Sequence, residues 1–398
     1  MKHYTTAAVL LAALALPVAA QDTETAKPEG YQFKTLIDLP TTSVKDQYRS
    51  GTCWSFSTLS FLESEMMRMG RKEVDLSEMY VVNLCYKAKA DLAVRMHGEV
   101  NFAGGGAAHD ILWAYKNFGM MPEEVYSGKQ YGEDGHVHAE LDNVLSSFVD
   151  AVIENKGRRL TTAWKPAFDA VVDAYLGAVP EKFTVDGNEY TPRTYADNVV
   201  GINPDDYVSI TSFTHHPFYT QFMLEVPDNW LFGTMYNLPL DEMMAVVDNA
   251  LANGYTIAWG ADVSEQGFSF AKGVAVMPET NEKEMNGSER SRWEKLDKSE
   301  RRQYGLDAPV TEVAVTQELR QKAFDNYETT DDHGMHIVGT AEDQNGTKYY
   351  KVKNSWNTDN VYDGYLYASE AFLRYKTLDI LVHKDALPKD IRKKLGIR

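Results

Sequence analysis

The chain has 398 residues but only two cysteines, Cys53 and Cys85. This scarcity excludes a fold that depends on several disulfides and leaves room for one bridge at most, Cys53–Cys85. Long apolar runs are also missing. The run from Ala7 to Ala20 is broken by Pro17 and is too short to cross a bilayer comfortably, and no later run is long enough to do so.

Positive charge is in deficit. The chain carries 40 Lys and Arg against 58 Asp and Glu, which gives a formal net charge of −18 at pH 7. This deficit argues against general binding of nucleic acids or of anionic membranes. The hydrophobic and aromatic fractions, 43% and 12%, are instead typical of a globular protein with a substantial core.

The sequence also lacks the motifs of several hydrolytic and metal sites. It has no Gly-x-Ser-x-Gly segment, which disfavours a serine hydrolase, and no HExxH segment or Cys/His zinc spacing. Two histidine pairs, His136 with His138 and His215 with His216, are therefore interpreted as loop and surface residues rather than metal ligands. We expect no metal and no other cofactor.

The N-terminus has the pattern of a secretory signal peptide. A basic start, Met1-Lys2-His3, is followed by the short apolar run and by small residues before the polar Gln21. We therefore expect residues 1–20 to direct export, to a periplasm or to the medium. The remaining residues, 21–398, are enough for one large or two ordinary domains.

One of the two cysteines, Cys53, follows Gly51 and Thr52 and opens an amphipathic segment that ends at Gly70. Apolar residues recur in this segment at helical spacing: Phe56, Leu59, Leu62, Met66 and Met69. The pattern places Cys53 at a helix N-terminus, where free N–H groups and the helix dipole favour the nucleophilic thiolate. The alternatives are a cysteine that packs as a small hydrophobic residue and a cysteine bridged to Cys85.

A cysteine nucleophile needs a base, a group that orients the base, and donors for the oxyanion. Gln47, six residues before Cys53, offers a side-chain amide alongside the backbone N–H of Cys53. A glycine-rich loop, Asn101–Gly106, precedes a third predicted helix, but it lacks the strand-before-helix pattern of a phosphate-binding loop.

The base and its orienting group are expected on a hairpin. His333 begins one predicted strand, and Asn345-Gly346 is a strong turn signal. The strand Lys348–Lys353 then returns and delivers Asn354 beside His333. Trp356 would shield the hydrogen bond between the two from water and so strengthen it.

Three separated motifs resemble the papain-like cysteine peptidases: Gln47 with Gly51-Thr52-Cys53-Trp54, the His333-Gly-Met strand, and Asn354-Ser355-Trp356. Within that family the sequence is most similar to the bleomycin hydrolase and aminopeptidase C group. Papain itself has Cys-Gly-Ser-Cys-Trp, whereas Ser50 stands here at the first cysteine position, as in that group. Leu76-Ser77-Glu78 matches the start of the family's next helix.

The resemblance implies an α+β fold with two lobes. A helical lobe carries the cysteine helix, and an antiparallel, barrel-like β lobe carries the histidine and the asparagine. The match covers residues 45–126 and 240–370. The rest of a single peptidase domain, 21–398, is expected to hold a large insertion around 127–205 and a charged excursion around 278–305.

The resemblance also assigns roles. Cys53 is the nucleophile, His333 the base, Asn354 its orienting group and Gln47 an oxyanion donor. Gly105 and Gly106 match a twin-glycine segment whose backbone pairs with the substrate peptide, and Trp356 completes the substrate-binding residues.

His336 competes with His333 for the role of base. In the family, Val-Gly follows the base, with the glycine six places on. This register gives Val338-Gly339 from His333 but Glu342 from His336. His336 is therefore expected to be a polar residue on the other face of the strand.

The resulting prediction is a cysteine peptidase, most specifically an aminopeptidase that acts on peptides, assembled as a barrel-like homohexamer. In the bleomycin hydrolase group a C-terminal arm holds the free amine of the substrate. The sequence ends at Leu395–Arg398, and we expect these residues to be too short to form such an arm. An endopeptidase and a catalytically idle exported binding protein of the same fold therefore remain alternatives.

Overall fold

A computed structural model describes residues 30–157, 159–280 and 287–398. The predicted signal peptide, residues 1–20, lies outside the described residues. Within those ranges, no helix combines the length and the apolar character needed to cross a bilayer.

Helices occur in both halves of the chain's sequence order, whereas most strands lie in the second half. The helices are α1 (Cys53–Arg68), α2 (Glu78–Arg95), α3 (Ala108–Phe118), α4 (Ala139–Ile153), α5 (Trp164–Leu176), α6 (Pro192–Tyr195), α7 (Leu240–Ala252), α8 (Gly287–Lys295), α9 (Lys298–Gln303), α10 (Gln317–Asp325), α11 (Glu370–Lys376) and α12 (Lys389–Lys394). The strands are β1 (Lys34–Asp38), β2 (Phe183–Val185), β3 (Asn188–Tyr190), β4 (Tyr207–Thr211), β5 (Gln221–Met223), β6 (Thr234–Asn237), β7 (Ile257–Ala261), β8 (Phe268–Ser269), β9 (Val274–Ala275), β10 (His333–Glu342), β11 (Lys348–Lys353), β12 (Tyr365–Ser369) and β13 (Thr377–His383).

Helix α1 lies between the two lobes. Its residues from Trp54 to Met66 are all buried, because α2 and α3 pack on one side and β7 and β10 on the other. Two carboxylates of this helix are paired although they are buried. Glu65 bonds Arg68 at 2.8 Å, and Glu63 accepts from Thr42.

In the described part of the chain, the sheet lobe is one sheet of eleven strands. Its order is β5-β6-β4-β13-β7-β10-β11-β12-β9-β8, and β1 pairs with β10. In the β10–β11 hairpin His336 lies opposite Lys353, so the first residue of β10 and the residue after β11 meet at one end of the sheet. Gly346 turns the hairpin with a φ of +80°, in the region that favours glycine.

Residues 127–205 contribute α4, α5 and the separate β2–β3 hairpin. Phe168 and Val172 of α5 belong to the same hydrophobic core as Leu59 of α1. This segment therefore enlarges the helical lobe. The charged excursion predicted around 278–305 forms α8 and α9 where it is described.

Candidate active site

Cys53 is the first residue of α1. The carbonyl of Thr52 accepts from the N–H groups of Ser55 and Phe56, at 2.9 and 3.3 Å, and Thr52 provides no side-chain cap. The backbone N–H of Cys53 belongs to the first turn, whose N–H groups have no acceptor within the helix. Both cysteines are free, with Cys53 half-buried and Cys85 buried in the helical core, so the alternative of a Cys53–Cys85 disulfide is wrong.

His333 and Asn354 meet at the open end of the β10–β11 hairpin. Nε2 of His333 lies 2.8 Å from Oδ1 of Asn354, which also accepts the N–H of Ser355 at 2.8 Å. An amide oxygen only accepts, so Nε2 carries the proton and Nδ1 is left as the basic nitrogen. The Trp356 ring lies 4.5 Å from the His333 ring, and both residues of the histidine–asparagine pair are buried.

Gly334 brings the histidine strand against the cysteine helix. A Cβ on Gly334 would lie 2.8 Å from Oγ of Ser57 and 3.2 Å from Cα of Trp54. Because no larger residue fits between β10 and α1, glycine at this position lets His333 and Cys53 line the same cavity.

Gln47 is buried next to Ser355, the residue that follows Asn354. Its Nε2 donates to the carbonyl of Ser50 at 2.8 Å, and its Oε1 accepts from Oγ of Ser355 at 2.7 Å. The amide nitrogen has a second N–H. The position of Gln47 is therefore fixed from both lobes, with one donor left for a substrate.

The two predicted loop glycines differ in their surroundings. Gly106 lines the cavity that contains Cys53, and a Cβ there would lie 2.9 Å from the Trp54 ring. The carbonyl of Gly105 accepts from the ammonium of Lys89. A Cβ on Gly105 would overlap the carboxylate of Asp228. The loop backbone is thus held in place, and Gly106 is the member that faces the cavity.

Burial sets the protonation of the cysteine and histidine. It raises the pKa of Cys53 to about 12, although the backbone N–H of Gly334 lowers it. Burial also lowers the pKa of His333 to about 4, against the opposing effect of its hydrogen bond to Asn354. The substrate-free pair is therefore a neutral thiol and a neutral imidazole, and transfer of the thiol proton creates two charges that stabilise each other.

Among the residues that the structure describes, no histidine other than His333 lines this cavity. His336 is fully buried, and its Nδ1 lies 3.0 Å from Oγ of Ser60. His136 and His138, predicted as loop and surface residues, are also buried, with exposures of 5% and 0%. That prediction was wrong because the segment leading into α4 packs against the helical lobe, with the His136 ring 5.7 Å from the Phe56 ring.

His215 and His216 share a carboxylate partner. Their Nε2 atoms lie 3.0 and 2.8 Å from the two oxygens of Glu225. The ligand atoms of the three residues lie within 4.8 Å of one another, a spacing that a metal ion would accept. The sequence-based expectation of no metal stays a prediction.

Sequence reasoning missed a segment that crosses the cavity. Residues 224–233, here called the strap, join β5 to β6 of the sheet lobe and reach the helical lobe. Nε1 of Trp230 donates to Asp110 of α3 at 2.6 Å, and Asp228 bonds Asn101 of the glycine loop at 3.1 Å. The side chain of Asn229 holds the turn through Leu224 and Gly233. The strap has no regular periodicity, so no pattern indicated its position.

The same cavity contains carboxylates that were also missed. It is lined by Asp228 of the strap, by Asp331 and Asp332 directly before β10, and by Asp379 of β13. A signal for Asp379 was present, since it is the acidic residue within the apolar run Thr377–Val382. Burying an acid in such a strand is costly unless the residue has a function.

Comparison with known proteins agrees with this geometry. The family "Papain family cysteine protease" matches residues 31–163, and "Peptidase C1-like family" matches residues 310–397. The chain is 23% identical to aminopeptidase G of Lactobacillus delbrueckii subsp. lactis over 393 residues, covering 89% of this chain and 83% of that protein. It is 22% identical to aminopeptidase C of Lactobacillus helveticus over 408 residues, covering 90% and 83%.

A solved structure shares the fold. The crystal structure of PepW from Lactobacillus rhamnosis HN001 superposes with a TM-score of 0.68 at 20% identity, covering 91% of this chain and 84% of that one. The predicted α+β fold and the resemblance stated from the motifs are both confirmed. One peptidase family model matches the part of the chain that contains Cys53 and another matches the part that contains His333 and Asn354, so the chain is similar to papain-type cysteine peptidases over both parts of its site.

Proposed function

We propose that the protein is an aminopeptidase that removes N-terminal residues from peptides with Cys53 as its nucleophile. Sγ of Cys53 attacks the scissile carbonyl carbon while its proton moves to Nδ1 of His333. The C–N bond breaks as His333 returns this proton to the leaving amine, and a thioester remains. Water then gives a proton to His333, attacks the thioester and releases the amino acid, and His333 returns the proton to the thiolate.

The other site residues support these reaction steps by holding the reacting groups in place. Asn354 holds His333 through Nε2, which leaves Nδ1 free to accept the proton of Cys53. The free N–H of Gln47 and the backbone N–H of Cys53 are the proposed oxyanion donors. Each such donor typically stabilises the transition state by about 3 kcal/mol.

The observation that carries the exopeptidase assignment is the strap. His333, which protonates the leaving amine, stacks on Trp356, so the leaving group is expected on the Trp356 side. The acyl side then faces Gly106, where the strap bridges the two lobes through Trp230 and Asp228. Little substrate can therefore extend beyond the residue that acylates Cys53. The names of the relatives, aminopeptidase G and aminopeptidase C, support the same assignment.

Export and assembly are further parts of the proposal. The signal-peptide pattern of residues 1–20 supports export, and N-terminal sequencing of the mature protein tests it. The resemblance to the bleomycin hydrolase group supports a homohexamer, which light scattering after size-exclusion chromatography tests.

Paired substrates test the aminopeptidase activity. The kcat/KM of an alanyl fluorogenic amide is compared with that of its N-acetyl twin, and an internally quenched peptide blocked at both ends reports endopeptidase activity. We expect hydrolysis of the free-amine substrate only. Preference for the blocked substrate, or cleavage inside the blocked peptide, would identify the endopeptidase alternative.

A further inference from the structure

Two carboxylates in the cavity have no partner. Asp379 is only 9% exposed, Asp331 is half-buried, and both line the cavity that contains Cys53 and His333. Among the described residues, no side chain or backbone N–H forms a hydrogen bond or an ion pair with either of them. Buried carboxylates are normally paired, because leaving one unpaired costs several kcal/mol.

The neighbouring carboxylates are paired. Asp332 accepts the N–H of Val263 at 2.9 Å, Asp228 accepts from Asn101 at 3.1 Å, and Asp110 accepts from Trp230 at 2.6 Å. Lys89, the nearby cation, donates to the carbonyls of the glycine loop. His109 of α3 lowers the pKa of Asp379, but it forms no ion pair with this carboxylate. The absence of a partner is thus confined to Asp331 and Asp379.

The sheet directs Asp379 into the cavity. Asp379 of β13 lies opposite Gly260 of β7, and a Cβ on Gly260 would lie 2.4 Å from Oδ1 of Asp379. The carboxylate therefore occupies the space that any other residue at position 260 would fill. Across β7, Gly260 also lies opposite Gly334, the neighbour of His333, so this carboxylate is close to the reacting groups.

The two carboxylates repel each other electrostatically. Burial raises the pKa of Asp331, and the charges of Asp228 and Asp379 raise it further. Burial raises the pKa of Asp379 to about 6. A cation placed between them would relieve both the desolvation and the repulsion.

We propose that Asp331 and Asp379 form the subsite that binds the α-ammonium group of the substrate, an inference that rests on the aminopeptidase activity proposed above. The strap limits the length of chain on this side of Cys53, and the two carboxylates recognise the charge at its end. Helix α12 does not fill this role, because Ile391 and Leu395 belong to the hydrophobic core of the sheet lobe and Lys394 bonds Glu242 of α7.

The subsite also acts on the nucleophile. The charge of Asp331 raises the pKa of Cys53, and Asp228 has a smaller effect in the same direction. An ammonium group bound between the carboxylates would offset this field and favour the thiolate. A substrate with a free amine would therefore promote its own acylation step. Binding of the ammonium group would then affect kcat as well as KM.

Three fluorogenic amides test the subsite: the alanyl amide, the propionyl amide and the N-acetylalanyl amide. The propionyl substrate lacks the amine but adds no bulk, so it separates charge recognition from steric exclusion by the strap. For the wild-type protein we expect the alanyl substrate to exceed the propionyl one by about tenfold or more in kcat/KM, the value of one charge-assisted hydrogen bond. In Asp379→Asn and Asp331→Asn this ratio should fall toward one.

Asp150→Asn, on the exposed face of α4, is the matched control and should keep the wild-type ratio. Gly260→Ala provides a second route, because its methyl group would displace the Asp379 carboxylate while both acids remain. Iodoacetamide should also alkylate Cys53 faster in Asp331→Asn than in the control, a change that a merely structural role would not produce.

The outcomes are distinguishable. If the wild-type protein prefers blocked substrates, the aminopeptidase proposal itself fails. If it prefers free amines but cleaves propionyl and alanyl substrates equally, or if both Asp→Asn variants fold and keep the wild-type ratio, the subsite is wrong and the strap alone limits the substrate. A gain restricted to substrates with a lysine or arginine side chain would show that the carboxylates bind a basic side chain instead.

Discussion

Nε2 of His333 lies 2.8 Å from Oδ1 of Asn354, although the two residues are 21 positions apart in the sequence. The hairpin register, with His336 opposite Lys353, brings them together. Because the imidazole donates through Nε2, its Nδ1 is left to accept the proton of Cys53. This single contact fixes both the tautomer and the orientation of the proposed base.

Replacing Asn354 by Ala should lower kcat by roughly 10- to 100-fold, because a hydrogen bond to a group that becomes charged is worth about 1.5–3 kcal/mol. KM should change little, since Asn354 is not expected to touch the substrate. Steady-state kinetics on the alanyl amide measure both. Asn345→Ala at the exposed hairpin tip is the control, and equal kcat in the two variants would contradict the orienting role.

The pH dependence of alkylation should reveal the base. Burial holds the pKa of His333 near 4 and raises that of Cys53 to about 12, so the imidazole accepts the thiol proton only above about pH 4. The iodoacetamide rate of the wild-type protein should therefore fall as the pH drops through about 4 and stay nearly level above it.

In His333→Ala no acceptor remains, and the rate should rise about tenfold per pH unit through the neutral range, as expected for an isolated thiol of high pKa. Rates are followed by mass spectrometry of the peptide that contains Cys53. Identical profiles for the two proteins would mean that His333 does not take the proton.

Gly334→Ala should reduce activity more than the addition of one methyl group would suggest. The added methyl would lie 2.8 Å from Oγ of Ser57 and 3.2 Å from Cα of Trp54, so β10 must move away from α1. We expect a fall in kcat of about tenfold or more, since small misplacements of reacting groups are costly. Gly157→Ala, at an exposed loop glycine, is the control and should change stability by less than about 0.5 kcal/mol.

Asp379→Asn should stabilise the protein above about pH 6. In the folded protein the pKa of Asp379 is about 6, above the ordinary aspartate pKa of 3.8. Between these values the folded state keeps a proton that the unfolded state releases, so wild-type stability falls as the pH rises through this window. The asparagine variant lacks this loss and should be more stable by roughly 2–3 kcal/mol at pH 8. Urea unfolding at pH 4 and pH 8 checks the prediction, and a stability gap independent of pH would contradict it.

The local elements near Cys53 and His333 follow closely from the sequence. Strand β11 covers the predicted residues Lys348–Lys353, and β10 begins at His333. Helix α2 begins after Ser77, whose Oγ accepts the N–H of Tyr80. Turn glycines, a capping serine and strand alternation are short-range signals, and they hold wherever the neighbouring segments pack as expected.

The features that depend on contacts between distant segments could not be predicted from the sequence. Helix α10 begins only at Gln317, because Glu312 pairs with Pro278 in an extended segment that comes from a distant part of the chain. The carboxylates of the cavity come from the strap, from the residues before β10 and from β13. No pattern within one segment reports that three separate segments meet in space.

The central claim is that Cys53 is the nucleophile of a working peptidase. Its most direct test is titration of the freshly reduced native protein with iodoacetamide, with peptide mapping and residual activity on the alanyl amide measured at each point. We predict one label per chain, on Cys53 and not on Cys85, with activity lost in proportion to labelling. Full alkylation of Cys53 with activity retained, or an unreactive Cys53 in a protein without activity, would contradict the claim and favour the idle binding protein.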